Sequence, residues 1–241
     1  MIVSPDQGVE KGGRRTYVKF CGFTRSEDVE IAVEVGVDVL GVVFAESPRQ
    51  VGIPSAVELL TCIPGTILRV GVFADQSEGI IQEAVERCEL DWIQFSGNEP
   101  PELAAALPVP VIKAVHVNSD SDAAALADYP AMAFLLDAPV AEGLKGGRGV
   151  TFDWSNVQYL PWPRWQVIVA GGLNAGNVGE AIMQLRPGGV DVSSGIEVRP
   201  GIKDRRKMED FIEAVKWADA QLSTDEDLDT SSSGVIGADH A

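Results

Sequence analysis

Three features of this sequence could do chemistry together, and each comes at the end of a short apolar run. Cys21 follows YVKF, and Asp137 follows MAFLL. A thiol and a carboxyl group that face each other across a ligand can serve as a base and an acid. The third feature is a pair of glycine-bearing turns, AGGLNAGNV and DVSSGIEVRPG, whose peptide N–H groups could bind phosphate oxygens. The pattern indicates proton transfer on a small phosphorylated molecule.

Each of these features also has a purely structural interpretation. A free cysteine is commonly a small buried apolar side chain, and the residue type alone does not decide between that and a base at Cys21. Asp137 could cap a following turn, although a carboxylate after an apolar run is costly to bury unless it is paired or functional. The glycines could merely make tight turns, but two such turns after neighbouring strands favour a phosphate site. Cys62 and Cys88 lie in helical segments and are predicted to be buried apolar side chains.

Eight apolar runs alternate with helical segments, and they would position these residues. The runs are continuous rather than alternating in polarity, which is typical of strands covered on both faces. Eight such units predict an α/β fold made of a single closed (β/α)8 barrel. An open doubly wound sheet is the alternative, but its first turn is usually GxGxxG, and CGFTRS is not such a turn. The predicted strands cover residues 17–20, 38–43, 67–73, 91–95, 109–115, 132–136, 166–170 and 189–192.

The barrel places functional residues where the strands end, because barrel sites lie at the carboxyl ends of the strands. Arg49 follows the second predicted strand, and Gln94 lies near the end of the fourth. Helix starts are predicted at Ser26, Ser77 and Asn174, because Ser and Asn side chains can accept a hydrogen bond from the first turn of a helix.

Composition and charge exclude several classes of protein. Of the 241 residues, 45% are hydrophobic and 23% are charged, as in soluble globular proteins. No apolar run is long enough to cross a membrane, and the N-terminus lacks the apolar segment of a signal peptide. A formal net charge of −17 argues against nucleic-acid binding, since an acidic surface repels phosphate backbones. With only three cysteines, we expect a cytoplasmic protein with free thiols.

We expect one domain with loose ends. The barrel would span residues 17–221, preceded by a flexible extension at 1–16 and followed by a disordered acidic tail at 222–241. The segment 143–149, GLKGGRG, lacks the GK[ST] ending of a phosphate-binding loop and is predicted to be a flexible lid. Trp162 and Trp165, in YLPWPRW, are expected to pack under this lid rather than to bind a ligand.

Nothing in the sequence indicates a metal or a cofactor. The two histidines, His116 and His240, have no Cys or Asp neighbours at the spacing of a metal site. No nucleophile elbow accompanies His116, so a Ser-His-Asp triad is not indicated. We therefore expect chemistry carried by side chains alone.

Nine segments, in chain order from about residue 17 to 215, resemble the phosphoribosylanthranilate isomerase family of tryptophan biosynthesis. They touch all eight units, and the combination of CGxT, SPR, GGxGxxFDW and DVSSGxE is highly specific. The segments are VKFCGFT, GVVFAESPRQV, RVGVFAD, DWIQFSGNEP, VIKAV, LLD, GGRGVTFDW, VIVAGGLNAGNVGEAI and VDVSSGIEVRPGIKD.

The resemblance implies a cofactor-free Amadori rearrangement of an N-(5-phosphoribosyl)anthranilate aminoaldose to a 1-deoxyribulose aminoketose. It implies that Cys21 is the general base and Asp137 the general acid, and that Lys19 and Asp191 fit the family pattern. The partner is then a small phosphorylated substrate, with no nucleic acid and no membrane, bound by a monomer or a homodimer. The implied substrate-binding residues are Arg49, for the anthranilate carboxylate, together with Gln94, Gly171, Gly172, Ser194 and Gly195.

One position departs from the family pattern. The fourth strand usually ends in a VQLHG-like motif, whereas this chain has IQFSG, with Ser96 where a histidine is common. Serine is shorter than histidine and does not titrate near neutral pH. A cysteine at position 21 favours the tryptophan-pathway isomerase over its histidine-pathway relative, which the same barrel with an aspartate there would resemble.

Two other functions remain open from the residues. The chain could be another phosphate-binding barrel isomerase, an epimerase or an aldolase, and an aldolase would need Lys113 as its Schiff-base lysine. It could also be a non-catalytic barrel that binds a phosphorylated ligand. The presence of both Cys21 and Asp137 argues against that second alternative.

Overall fold

Eight parallel strands form a closed barrel at the centre of the fold. They are β1 (Tyr17–Cys21), β2 (Val39–Val43), β3 (Leu68–Phe73), β4 (Trp92–Phe95), β5 (Val111–His116), β6 (Ala133–Asp137), β7 (Val167–Ala170) and β8 (Gly189–Val192). Each strand pairs with the next, and β8 pairs with β1 to close the ring. This computed structural model describes residues 15–61, 63–116, 123–137 and 160–232, and it confirms the barrel and all eight predicted strands.

Helices follow the strands and cover the barrel. They are α1 (Ser26–Val35), α2 (Ile53–Leu60), α3 (Glu78–Arg87), α4 (Pro101–Ala106), α5 (Val178–Leu185) and α6 (Arg205–Ser232). A 3-10 turn over Ser194–Ile196 and an antiparallel pair, β9 (Glu197–Arg199) and β10 (Ile202–Lys203), lie between β8 and α6. Across the described part of the chain, no helix combines the length and apolarity that a membrane crossing needs.

The helix starts agree only in part with the predicted ones. Ser77 precedes α3 as predicted. Arg25, rather than Ser26, is the residue before α1, and α5 begins after Asn177 rather than after Asn174. The Asn174 side chain accepts the Gly176 N–H at 2.8 Å, and the Asn177 side chain accepts the Asn174 N–H at 2.8 Å. These local hydrogen bonds form a turn that delays the helix.

Strand residues alternate between the barrel interior and the layer under the helices. The interior is filled at its lower levels by packed apolar side chains, including Val70, Trp92 and Ile168. The larger core, with Phe20 and Phe211 in edge-to-face contact, lies between the barrel and its helices. In the described part of the chain, this packing fills the barrel below the carboxyl ends of the strands.

The packing predictions are confirmed in part. The Trp162 ring is buried and stacks on Phe134 with 3.7 Å between ring centroids, whereas Trp165 is only half-buried. Cys88 is buried directly after α3, and its thiol is free. The segment 143–149 and Cys62 lie outside the described residues.

Both predicted boundaries of the barrel need correction. Thr16, which was assigned to a flexible extension, is 2% exposed, and its N–H and hydroxyl donate to the Asp219 carboxylate at 2.9 and 2.6 Å. Helix α6 continues to Ser232, so residues 222–232 are helical rather than disordered. The reason is Leu222, which is buried and extends the apolar face of the helix by one more turn. Residues 1–14 and 233–241 lie outside the described part.

The contact between Thr16 and Asp219 predicts a measurable loss of stability. Asp219→Ala removes two hydrogen bonds from a charged acceptor to a buried residue and should lower the free energy of unfolding by about 2–4 kcal/mol. Equilibrium urea denaturation measures this, with Asp210→Ala, an exposed aspartate of the same helix, as the control. Equal losses in the two variants would contradict the role given to Asp219.

Candidate active site

A cavity of about 270 Å³ opens at the carboxyl ends of strands β4 to β8. It brings together five of the predicted site residues, contributed by four different strands. These residues are Gln94, Asp137, Gly171, Gly172 and Ser194. The remaining three predicted site residues, Cys21, Arg49 and Gly195, do not line the cavity.

Cys21 is the last residue of β1 and is 7% exposed. Two residues earlier, Lys19 also points into the barrel, and its Nζ lies 2.6 Å from Oδ1 of Asp191, which lines the cavity. On the neighbouring strand, a Cβ at Gly41 would come within 2.9 Å of the Cys21 Sγ. The glycine therefore leaves the space that the thiol occupies.

Burial raises the pKa of the Cys21 thiol above its ordinary value. The ammonium groups of Lys19 and Lys203 act in the opposite direction, while the Asp191 carboxylate adds to the increase. Burial alone would lower the pKa of Lys19, but Asp191 and Cys21 outweigh it and the pKa is raised. The thiol is thus protonated at neutral pH without a ligand, and the activated thiolate expected from the sequence needs a further positive charge.

Arg49 lies across the end of β1. Gly22 has a φ of +81°, and a Cβ there would come within 2.4 Å of the Arg49 Cδ, so only a glycine fits beneath this side chain. The guanidinium donates from Nε and Nη2 to the two carboxylate oxygens of Glu197, at 2.8 and 2.7 Å. Two nitrogens of the donor fork predicted for a substrate carboxylate are therefore already engaged by the protein.

Glu197 joins three parts of the site and was missed by the sequence interpretation. Its side chain is 3% exposed, and Oε1 also accepts from Lys203 Nζ at 2.9 Å and from the Gly201 N–H at 3.2 Å. Burial would raise its pKa, but the hydrogen bonds from Arg49 and Lys203 outweigh burial and hold the pKa below its ordinary value. In the sequence, Glu197 is marked only as the last residue of the motif DVSSGxE, with no role assigned to it.

The glycines of the two predicted phosphate turns differ in what they do. Gly171 and Gly172 have φ values of +84° and +64°, which a residue with a side chain rarely adopts. Asn174 and Asn177 donate to the Gly172 carbonyl at 3.3 and 3.1 Å and hold this turn. At Gly195 a Cβ would come within 1.9 Å of the Leu173 carbonyl oxygen. Gly195 therefore lets the turn after β8 pack against the turn after β7.

Asp137 and Gln94 line the cavity from β6 and β4, which are separated by one strand of the barrel. Asp137 ends β6 and is half-buried. Gln94 is 6% exposed, and its Nε2 donates to the Ser96 Oγ at 3.1 Å. Its Oε1 is buried and has no hydrogen-bond partner in the described part of the chain. Ser96 therefore contacts Gln94.

Lys113 does not reach the cavity. It is 5% exposed, and its Nζ donates to the Gly97 carbonyl at 2.6 Å and to Glu99 at 3.0 Å. These contacts hold the loop after β4 and argue against the aldolase alternative, which needs this amine in the pocket. Within the described ranges, no three His, Cys, Asp or Glu side chains are grouped to hold a metal ion.

A family model for N-(5′-phosphoribosyl)anthranilate isomerase matches residues 18–214. The chain belongs to this family. It is 44% identical over 199 residues to an isomerase of this name from Listeria welshimeri, covering 83% of this chain and 98% of the relative. It is 42% identical over 208 residues to the one from Halorhodospira halophila, covering 85% of this chain and 99% of the relative.

Solved structures of the same isomerase family share the fold. The phosphoribosyl anthranilate isomerase from Thermotoga maritima superimposes with a TM-score of 0.76 at 38% identity, covering 84% of this chain and 99% of that one. A second structure contains reduced 1-(o-carboxyphenylamino)-1-deoxyribulose 5-phosphate and has a TM-score of 0.74 at 35% identity, with the same coverage.

The contact at Gly195 predicts that even one methyl group disturbs the two turns. Gly195→Ala should lower the free energy of unfolding by about 1–3 kcal/mol, the usual cost of overpacking, because backbone rather than a flexible side chain must move. Substrate KM should increase as well, since both turns line or support the cavity. Urea denaturation and steady-state kinetics test this against Gly65→Ala, where no atom lies within 4 Å of the added Cβ. Indistinguishable variants would contradict the role given to Gly195.

Proposed function

We propose that this chain converts N-(5′-phosphoribosyl)anthranilate to 1-(2-carboxyphenylamino)-1-deoxyribulose 5-phosphate in tryptophan biosynthesis. The main support for this proposal is the pair Cys21 and Asp137. They lie at the carboxyl ends of β1 and β6, which are three positions apart around the barrel. The cavity is lined by Gly171 and Gly172, whose positive φ values form the kind of turn that can bind phosphate. Family membership over residues 18–214 supports the same reaction.

The first step needs an acid, and Asp137 is the group proposed for it. The carboxylic acid gives its proton to the furanose ring oxygen while the bond between C1 and that oxygen breaks. The bonding electrons stay on the oxygen, and the nitrogen lone pair forms a C1=N iminium. Asp137 is left as a carboxylate beside a cation, which favours the products of this step.

The second step needs a base at C2, and Cys21 is the group proposed for it. The iminium charge acidifies the C2–H bond and also lowers the pKa of the thiol beside it, so that the thiol releases its proton to solvent and becomes a thiolate. The thiolate takes the proton, the C–H electrons form C1=C2, and the C1=N electrons return to nitrogen. Protonation at C1 and loss of the hydroxyl proton at C2 then give the ketone. This order explains why a thiol with a raised pKa is compatible with the role of base.

The remaining predicted residues bind the substrate in this proposal. The turns containing Gly171 and Gly172 present peptide N–H groups to the phosphate, and Ser194 and Gly195 do so from the turn after β8. Arg49 offers its Nη1 edge to the anthranilate carboxylate, because its Nε and Nη2 donate to Glu197. Gln94 offers a buried oxygen that could accept a substrate hydroxyl.

The proposal also covers location and assembly. A cytoplasmic location is supported by the free thiols of Cys21 and Cys88. A monomer or a homodimer is proposed, since the similar structures include monomers made from the dimeric isomerase of Thermotoga maritima.

Cys21→Ser tests the base. The variant should lower kcat by at least about 100-fold, the usual contribution of general acid–base catalysis, because an alcohol is a far weaker acid than a thiol. The assay follows the fluorescence decay of freshly made N-(5′-phosphoribosyl)anthranilate. Cys88→Ser, a buried thiol outside the site, is the control and should retain the turnover of the parent chain. Full activity of Cys21→Ser would exclude Cys21 as the base.

Substitutions of Asp137 and Arg49 should affect different kinetic constants. Asp137→Asn keeps the shape of the side chain but removes the transferable proton, so kcat should decrease with little change in KM. Arg49→Ala removes a cation and should raise KM by roughly 10–100-fold, which corresponds to about 1.5–3 kcal/mol of charge-assisted hydrogen bonding.

Steady-state kinetics on both variants separate these roles. A kcat within twofold of the parent for Asp137→Asn would exclude it as the acid. An unchanged KM for Arg49→Ala would show that this arginine serves only its ion pair with Glu197.

A further inference from the structure

Lys203 makes three contacts deep under the candidate site, although its side chain is fully buried. Its Nζ donates to the Cys21 carbonyl at 2.5 Å, to Glu197 Oε1 at 2.9 Å and to the Ser193 carbonyl at 3.3 Å. An ammonium group has three N–H donors, and all three are used.

The three acceptors belong to three different parts of the site. The Cys21 carbonyl is the main chain of the proposed base. The Ser193 carbonyl belongs to the turn after β8, which lines the cavity. Glu197 holds Arg49 across the end of β1. A single buried cation therefore sets the relative positions of the base, the phosphate turn and the carboxylate anchor.

The backbone of Lys203 is itself held on two sides. Its N–H donates to the buried Asp28 of α1 at 3.1 Å. In the antiparallel pair of β9 and β10, Lys203 is in register with Glu197. The ammonium is thus presented from a fixed main chain, and the long lysine side chain has few alternative positions.

We propose that Lys203 is a positioning residue for the isomerisation, which places Cys21 against the substrate and keeps a positive charge beside its thiol. The proposal rests on the proposed role of Cys21 as the base. The contact with the Cys21 carbonyl gives Lys203 a role in addition to its pairing with Glu197.

The effect of removing Lys203 on the Cys21 thiolate depends on the other charges around the thiol. Lys19 and Asp191 face the thiol from β1 and β8, and Arg49 faces it from the segment after β2. Lys19 is paired with Asp191, whereas Arg49 and Lys203 share the single carboxylate of Glu197 and leave one positive charge near the thiol uncompensated. Without Lys203, burial is opposed by fewer positive charges, and the thiolate is disfavoured.

A second buried lysine provides a matched control. Lys113 is 5% exposed and Lys203 is 4% exposed, and each pairs with a buried glutamate, at 3.0 and 2.9 Å respectively. Lys113 contacts the loop after β4 and does not contact Cys21. Both lysines are thus buried and paired, whereas only Lys203 has the contact with the base.

The experiment compares Lys203→Met and Lys113→Met in the full chain by the pH dependence of Cys21 alkylation with iodoacetamide, located by mass spectrometry. Lys203→Met should slow alkylation of Cys21 at pH 8 by about tenfold, as expected when one nearby positive charge is lost, and should move the profile to higher pH. Lys113→Met should leave the profile where it is in the parent chain. Lys203→Met should also lower kcat by more than it changes KM.

Lys203→Arg keeps the positive charge and provides a second test of the proposal if Lys203→Met does not fold. It should retain the alkylation profile of the parent chain while kcat decreases, because a planar guanidinium cannot reproduce the three contacts of an ammonium group. An unchanged profile in folded Lys203→Met, equal shifts in both Met variants, or an arginine variant with the full parent kcat would each overturn the proposal. Failure of the base assignment itself is separate, since it would be seen as full activity of Cys21→Ser with Lys203 intact.

Discussion

The burial of one carboxylate, that of Glu197, is the interaction on which the arrangement of the site depends. A buried charge is tolerated only when it is paired and hydrogen-bonded, and here Arg49 and Lys203 supply the pairing while the Gly201 N–H adds a hydrogen bond. Removing one partner of such a group typically costs about 3–5 kcal/mol, because the remaining charge stays buried. The carboxylate therefore forces the segment after β2, the segment after β8 and the end of β1 into one arrangement.

The chemistry of Cys21 follows from this arrangement. The Cys21 thiol is buried, which raises its pKa. The cations that face it, Lys19, Lys203 and Arg49, form ion pairs with Asp191 and Glu197. Such a thiol is a poor base until a positive charge forms beside it. In the proposed reaction the iminium intermediate is such a charge, so Cys21 would become effective as a base only after the ring has opened.

The barrel could be predicted because the sequence patterns that indicate its strands and turns each lie within a short segment of the chain. Continuous apolar runs give strands, glycines and asparagines give turns, and the carboxyl ends of parallel strands meet at one face. That reasoning correctly placed Gln94, Asp137 and the two glycine-bearing turns around one cavity. The last helix was cut short because the final apolar contact, at Leu222, stands alone among polar residues.

The long-range pairing could not be predicted in the same way. Arg49 and Glu197 are 148 residues apart, and Cys21 and Lys203 are 182 apart. No spacing rule connects charges at such separations; only the closed ring, which brings β1 beside β8, makes them neighbours. The use of Gly195 as a packing contact was also hidden, because a glycine in a turn looks the same whether it faces a ligand or another turn.

A crystal structure of this chain with reduced 1-(o-carboxyphenylamino)-1-deoxyribulose 5-phosphate, the ligand of a similar isomerase structure, would test the proposed roles of Cys21, Asp137 and Arg49 together. We expect the phosphate on the turns after β7 and β8, and the ligand carboxylate at the Nη1 edge of Arg49. The ribulose carbons C1 and C2 would lie between the Cys21 Sγ and the Asp137 carboxyl group. A phosphate bound elsewhere, or a Cys21 thiol turned away from C2, would contradict it.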